Sequence, residues 1–254
     1  MDTKPFVSYI IPVYQAESFI YNNLKLFSEY CALNGIDNDI IIVNDGSNDK
    51  TDVMIRRYCE ENDSRNSIKY INIEKNVGKG SAIKKGIEAA KGQFVVFTDC
   101  DLPYSFKNID DVVRILIQRK ANVVIANRMH KDSVFHITSG NLSYIYIRHT
   151  AGRIYNLLIR LITRLDIEDT QAGLKGFDRE TADLAFNKMT VTGFSFDVDI
   201  LVCAQEYGKK ILTIPIEFNY LSEMSTVSFI KHTFLMTFDL MRIFLKRITR
   251  YYRR

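Results

Sequence analysis

Five short runs of β-branched and aromatic residues, separated by stretches of helical periodicity, fill the first half of the chain: Val7–Val13, Ile40–Val43, Ile68–Ile73, Phe94–Thr98 and Asn122–Asn127. Runs of this length, several of them apolar at nearly every position, are what strands buried on both faces require. Between them Glu17–Leu33, Thr51–Glu61, Gly80–Ala90 and Asn108–Lys120 suit helices, and Gly35 and Gly92 stand where helix C-terminal caps fall. Strands alternating with helices build βαβ units and a mainly parallel sheet flanked by helices. Ligands of such sheets bind beyond the carboxyl ends of the strands.

The second half carries a different pattern. Leu142–Leu165 reads as one long or broken amphipathic helix, followed by the loop EDTQAG. A short helix opens at Asp178, another covers Phe196–Tyr207 with Gly208 as its stop, and Lys210–Ile216 reads as a strand. Phe194, Phe196, Val198, Ile200 and Leu201 read as core, and Asp197 and Asp199 stand where acidic residues favour a helix N-terminus. A long helical pattern closes the chain from about Val227 to Tyr252. The expected organisation is one α/β domain over residues 1–226 with a basic amphipathic helix over 227–254.

Composition narrows the function classes. With 254 residues, 46% of them hydrophobic, the chain can bury a full core without disulfides or structural metals. Cys31, Cys59, Cys100 and Cys203 form no C-x-x-C pair and read as reduced thiols. The net charge of +4 is local: Ser228–Arg254 holds seven basic residues against Asp239 alone, which leaves the rest of the chain slightly acidic and disfavours a nucleic-acid binder. No 18-residue apolar run and no basic-then-apolar leader is present, so a non-spanning intracellular protein is expected. The P-loop and dinucleotide glycine spacings, a G-x-S-x-G elbow and a histidine metal pattern are all missing.

Polar groups follow each strand in turn. Pro12-Val13-Tyr14 ends the first, Asn44-Asp45-Gly46-Ser47 follows the second, Asp99-Cys100-Asp101 the fourth and Arg128 the fifth. Two carboxylates at i and i+2 just past a buried strand can both reach a divalent cation, and Mg²⁺ or Mn²⁺ with oxygen ligands commonly bridges to substrate phosphates. Asp45 and Ser47 suit a base or ribose, and Lys79 and Arg128 a diphosphate.

In order, IIPVY, VNDGSNDKT, KNVGKGSAIKKGI, FTDCDLPY and DTQAGLKGF resemble the inverting family 2 glycosyltransferases of GT-A fold, and within them the dolichyl- and polyprenyl-phosphate glucosyl- and mannosyltransferases. The resemblance reaches to about residue 230. DTQAGLKGF is nearer the glucosyl branch, which implies a UDP-sugar donor. It also implies that Pro12, Tyr14, Val43 and Asp45 line the base, and that Asp99, the Cys100 carbonyl and Asp101 hold the metal and diphosphate. Arg128 then contacts the donor, Arg148 lies near the lipid phosphate, and Gln171 and Lys175 lie near the sugar and phosphates. Asp169 is the nearest candidate for a base, if one is needed.

The chain departs from the family pattern at Gln15-Ala16, at Pro103, at Gly152 and at Met224-Ser225-Thr226, where a lysine that helps close over the diphosphate is missing. The expected activity is transfer of a hexose from a nucleotide diphosphate sugar to a polyprenyl phosphate on the cytoplasmic face of a membrane. A transferase acting on a sugar hydroxyl and a catalytically weak assembly partner remain as alternatives. Oligomeric state is not legible. Ile230, Phe234, Met241, Phe244, Leu245, Ile248 and Tyr252 recur at helical spacing among Arg242, Lys246, Arg247, Arg250, Arg253 and Arg254, as in a helix lying on an anionic membrane surface.

Overall fold

The computed structural model describes residues 6–62, 67–137, 152, 155–193, 195–220 and 229–253. Its centre is a 7-stranded sheet in the order β3-β2-β1-β4-β7-β5-β8. Here β1 is Phe6–Val13, β2 Asp37–Asp45, β3 Ser67–Ile73, β4 Phe94–Phe97, β5 Val123–Asn127, β7 Lys175–Asp178 and β8 Ile211–Pro215. A second, parallel pair joins β6 (Val134–Ile137) to β9 (Glu217–Tyr220). All five expected strand runs are present. Neighbours pair in parallel except β7, which runs antiparallel between β4 and β5. Lys, Gly and Asp fill three of its four positions, so its composition hid it; β6 and β9 were equally invisible.

Helices flank the sheet, as the fully buried β4 and β5 and the nearly fully buried β1 at its centre demand, whereas β3, expected to be buried, lies at the sheet edge and buries only Ile73. α1 (Ile20–Leu33), α2 (Thr51–Asn62), α3 (Lys79–Ala89) and α4 (Phe106–Ile117) occupy the expected stretches. α1 starts three residues later than Glu17, because the backbone N–H of Ala16 is tied to Thr51 at the start of α2 and that of Glu17 to Asp49 in the loop before it. Of the pattern Leu142–Leu165, residues 155–163 form α5, and residues 142–151, 153 and 154 lie outside the described residues. α6 is Arg179–Lys188, capped by the Asp178 carboxylate on the Thr181 N–H at 2.8 Å. α7 (Phe196–Glu206) is buried at every position from Phe196 to Ala204, so it runs through the core instead of lying over it.

The chain ends in α8 (Phe229–Ile248) and a 3₁₀ turn, Tyr251–Arg253. Leu240, Ile243 and Tyr252 are buried against the body. Asp199, wholly buried, accepts from the backbone N–H of Thr190 at 2.7 Å and Val191 at 3.1 Å, from Lys246 Nζ at 2.7 Å and from the Tyr252 hydroxyl. Asp199 is thus a clasp for the C-terminus, not merely a charge at a helix start. Removing one member of a buried, hydrogen-bonded charge network costs about 3 kcal/mol. Asp199→Ala is expected to lower the unfolding free energy by that amount, read from the shift of the urea midpoint at unchanged slope, whereas Asp166→Ala, which removes an exposed carboxylate whose ion-pair partner among the described residues is Arg160, lowers it by less than about 1 kcal/mol.

Candidate active site

At the carboxyl edge of the sheet, the ends of β1, β2, β4 and β5 meet the start of β7, which its antiparallel direction brings to the same edge. After β1 the backbone turns at Gln15, with φ of 51°. The Gln15 N–H donates to Ser47 Oγ at 2.9 Å, and that hydroxyl donates to Asn44 Oδ1 at 2.6 Å. Ser47 therefore ties two loops together. Pro12 and Val43 are buried in their strands, and Tyr14 stands clear with 42% of its surface exposed.

Asp45 accepts from the N–H groups of Val77 at 2.9 Å and Gly78 at 3.0 Å, fixing the start of α3. Burial pushes its carboxyl above the ordinary range despite these donors. Gly78 has φ of +95°, and a Cβ there would meet Thr192 O at 2.5 Å, so no other residue fits this turn. Lys79, the next residue, contacts Asp99. Burial pushes the Asp99 carboxyl up, but Lys79, followed by Arg128 and Lys175, holds it below the usual carboxylate range. The Cys100 carbonyl accepts from Asn23 Nδ2 at 3.0 Å, leaving one of its lone pairs for a ligand. Burial also raises the Cys100 thiol and keeps it protonated.

Arg128 grips Asp169 with both arms, Nε at 2.8 Å and Nη2 at 2.9 Å, and its backbone N–H donates to the same carboxylate at 3.0 Å. Burial opposes the charge on Asp169, yet Arg128 lowers its pKa. Asp169 opens the loop 169–174, which carries Gln171, half-buried, and folds back over the end of β4. Gly173 donates its N–H to the Tyr104 hydroxyl at 2.6 Å, and a Cβ on it would lie 1.8 Å from Asp99 Oδ2. Lys175 begins β7 with none of its side chain exposed, bonded to Asp197 at 2.5 Å. Its ammonium is therefore turned into the interior, and it reaches a bound phosphate only through the loop it holds.

Thus Lys79, Asp99, Arg128, Asp169, Gly173 and Lys175 come together at one edge, with Asp45 and Ser47 bracing the adjoining loops. Arg148 and Met224-Ser225-Thr226 lie outside the described residues. Asp197, Tyr104 and Asn23 were missed. Asp197 had a legible sign: it stands in a helix apolar on every side, and a carboxylate with no solvated face needs a buried partner. No group of three His, Cys, Asp or Glu suited to a metal occurs among the described residues. Asp99 and Asp101 offer oxygen only, a donor set that fits Mg²⁺ or Mn²⁺ completing its shell on substrate phosphates.

Residues 8–184 match the profile of Glycosyl transferase family 2. The chain belongs to that family. It is 30% identical over 251 residues to a dolichyl-phosphate beta-glucosyltransferase of Trichomonas vaginalis, covering 94% of this transferase and 72% of the relative. A Dictyostelium discoideum protein of the same name is 28% identical, over 83% of this chain and 64% of its own length. A human one is 28% identical, over 75% and 59%. In fold the transferase matches glucosyl-3-phosphoglycerate synthase of Mycobacterium tuberculosis, solved with Mn²⁺, UDP and phosphoglyceric acid, at a TM-score of 0.65 with 14% identity, covering 96% of this chain and 78% of that one. The GT-A architecture is therefore present, and the protein is a glycosyltransferase.

The contact between Gly173 and Asp99 generates a test. Any side chain at 173 must displace either the loop or the carboxylate by about 1 Å, a misplacement that costs on the order of a hundredfold in rate. Gly173→Ala is expected to fold and to lose turnover to that extent, as measured by release of nucleotide from a sugar donor.

Proposed function

We propose that this transferase moves glucose from UDP-glucose to a polyprenyl phosphate, inverting C1. The observation that carries the choice of acceptor is the state of Asp169. Both of its oxygens are engaged by Arg128 and its pKa is lowered, so it is a poor proton acceptor. A sugar hydroxyl needs a base to become nucleophilic, while a phosphate monoester oxygen is already ionised at neutral pH. An acceptor phosphate suits a site whose best-placed carboxylate orients an arginine. The names of the relatives supply the sugar and the lipid class.

In this reading Tyr14 and the loop braced by Asp45 and Ser47 receive the base, and Arg148 serves the acceptor phosphate. Lys79 and Arg128 face the diphosphate, and the loop 169–174 closes beside the sugar. Asp99 and Asp101 would hold the Mg²⁺ or Mn²⁺, which when bound supplies Lewis-acid stabilisation of the departing diphosphate. The attacking phosphate oxygen forms the new bond to C1 as the bond to UDP breaks, and Lys79 and Arg128 offset charge on the leaving group.

A lipid acceptor calls for a membrane surface. Among the described residues no helix is long and apolar enough to cross a membrane. Of the basic residues expected to face lipid, Lys246 pairs with Asp199, and Arg247 and Arg253 pair with Glu206. Tyr252, expected on the lipid side, is buried. The side chains of Ile230 and Phe234 lie outside the description. α5 and α8 run side by side, joined by Tyr155 to Met236 O at 3.0 Å and by Arg247 to Thr163 O. α8 exposes Phe238, Met241, Leu245 and Ile248 opposite its buried Leu240 and Ile243, with Arg242 and Arg250 exposed alongside, and α5 exposes Leu157 and Leu161. This apolar, cation-edged surface suits the interface of an anionic bilayer.

Transfer is assayed with purified protein, Mn²⁺, nucleotide sugar and polyprenyl phosphate. UDP-glucose is expected to be the donor, and UDP to bind more tightly than GDP by calorimetry; Asp99→Asn and Asp101→Asn are each expected to lose at least a hundredfold, about 3 kcal/mol. Turnover of UDP-glucose onto a sugar hydroxyl but not onto the lipid phosphate would refute the acceptor. For the membrane surface, Leu161→Glu with Leu245→Glu is expected to release the protein from phosphatidylserine vesicles in sedimentation at low salt, while calorimetric UDP affinity stays unchanged.

A further inference from the structure

Lys175 and Asp197 form the most deeply buried ion pair at the site edge, with 0% and 9% of their side chains exposed. Neither side chain is presented to a ligand. The Lys175 ammonium has three partners: Asp197 Oδ1 at 2.5 Å, the Ala172 carbonyl at 2.5 Å and the face of Phe97, 5.5 Å to the ring centre. Its backbone is fixed between Phe97 and Ile125 in the sheet register. The ammonium therefore reaches back to a carbonyl three residues earlier and curls residues 172–175 into a turn. The next residue along that turn, Gly173, is the one pressed against Asp99.

A continuous line of contacts runs from the first turn of α7 through Asp197, Lys175, Ala172 and Gly173 to Asp99. At its far end α7 is held by the core on every side, which makes it a stiff support. A buried ion pair of this kind adds little stability over an apolar pair of similar volume, so stability alone gives no reason for a full charge here. Direction does: an ammonium can hold a carboxylate and a carbonyl at once, and an apolar side chain can hold neither.

We propose that Asp197 is a positioning residue, which acts through Lys175 to hold the loop 169–174 against Asp99 in the arrangement that receives the donor diphosphate. The turnover readout rests on the transferase reading above; the loop readout does not. Without the Asp197 charge, the buried ammonium loses its counter-ion and the loop loses its anchor.

The test compares wild type, Asp197→Asn and the double variant Lys175→Met with Asp197→Asn, each measured for amide hydrogen exchange, thermal midpoint and UDP-glucose kinetics. Asp197→Asn is expected to raise exchange in residues 170–174 about tenfold while β1 and β4 stay protected. It is also expected to lower kcat by about tenfold or more, with KM for UDP-glucose changing less than about threefold. In the double variant the uncompensated charge is gone, so the thermal midpoint returns to the wild-type value or above, while loop exchange stays fast and kcat stays low.

That separation of stability from turnover is what a purely structural pair would not give. Wild-type loop exchange and kcat in Asp197→Asn, or recovery of both in the double variant, would overturn the proposal. Should Asp197→Asn not fold, the double variant decides alone. If wild-type protein transfers nothing to polyprenyl phosphate, the acceptor assignment fails, while loop exchange without acceptor still tests the brace.

Discussion

Lys175 carries a charge into a position with no solvent contact, and the way the fold accommodates it sets the positions of its neighbours. Burial lowers the lysine and raises Asp197, each disfavoured in its charged form, and their mutual attraction opposes both shifts. Around them Lys79 pairs with Asp99, and Arg128 with Asp169. The carboxylates and cations at the sheet edge hold one another in place, so the site is organised before any ligand enters. Such preorganisation lets fixed charges act on a leaving group without having to be assembled during the reaction.

The antiparallel strand β7 makes this arrangement reachable. A parallel strand between β4 and β5 would begin at the opposite edge of the sheet and deliver its preceding loop there. Running the other way, β7 brings Asp169, Gln171 and Lys175 to the edge where Asp99 and Arg128 already stand. Gly173 then allows the loop to approach the carboxylate more closely than any residue with a side chain. Sheet direction and one missing side chain together decide how closely Asp99 is enclosed.

At the C-terminus, burial and exposure divide one helix between two roles. The face of α8 carrying Leu240 and Ile243 packs on the body, and Lys246 and Arg247 turn inward to Asp199 and Glu206. The opposite face is also apolar. Among the described residues the body covers only one of these two apolar sides. The positive charge that the sequence concentrates in this segment is therefore partly spent on attachment to the fold.

The sequence alone determined the parallel core, four flanking helices and the placing of Asp45, Asp99, Asp101 and Arg128 at strand ends. These rest on local periodicity and on the rule that strand termini of open α/β sheets face the ligand. Its motifs also sufficed for the family. What only tertiary structure decided is which charge meets which. Lys79 and Asp99 are 20 residues apart, Lys175 and Asp197 22, and Arg128 and Asp169 41. It likewise turned Lys175 inward, made Ser47 a brace and placed Tyr252 in the core. Periodicity reports how each segment meets the core, because it reflects contacts one turn or one pleat away. Pairing between distant segments depends on sheet order and direction, which no local pattern encodes.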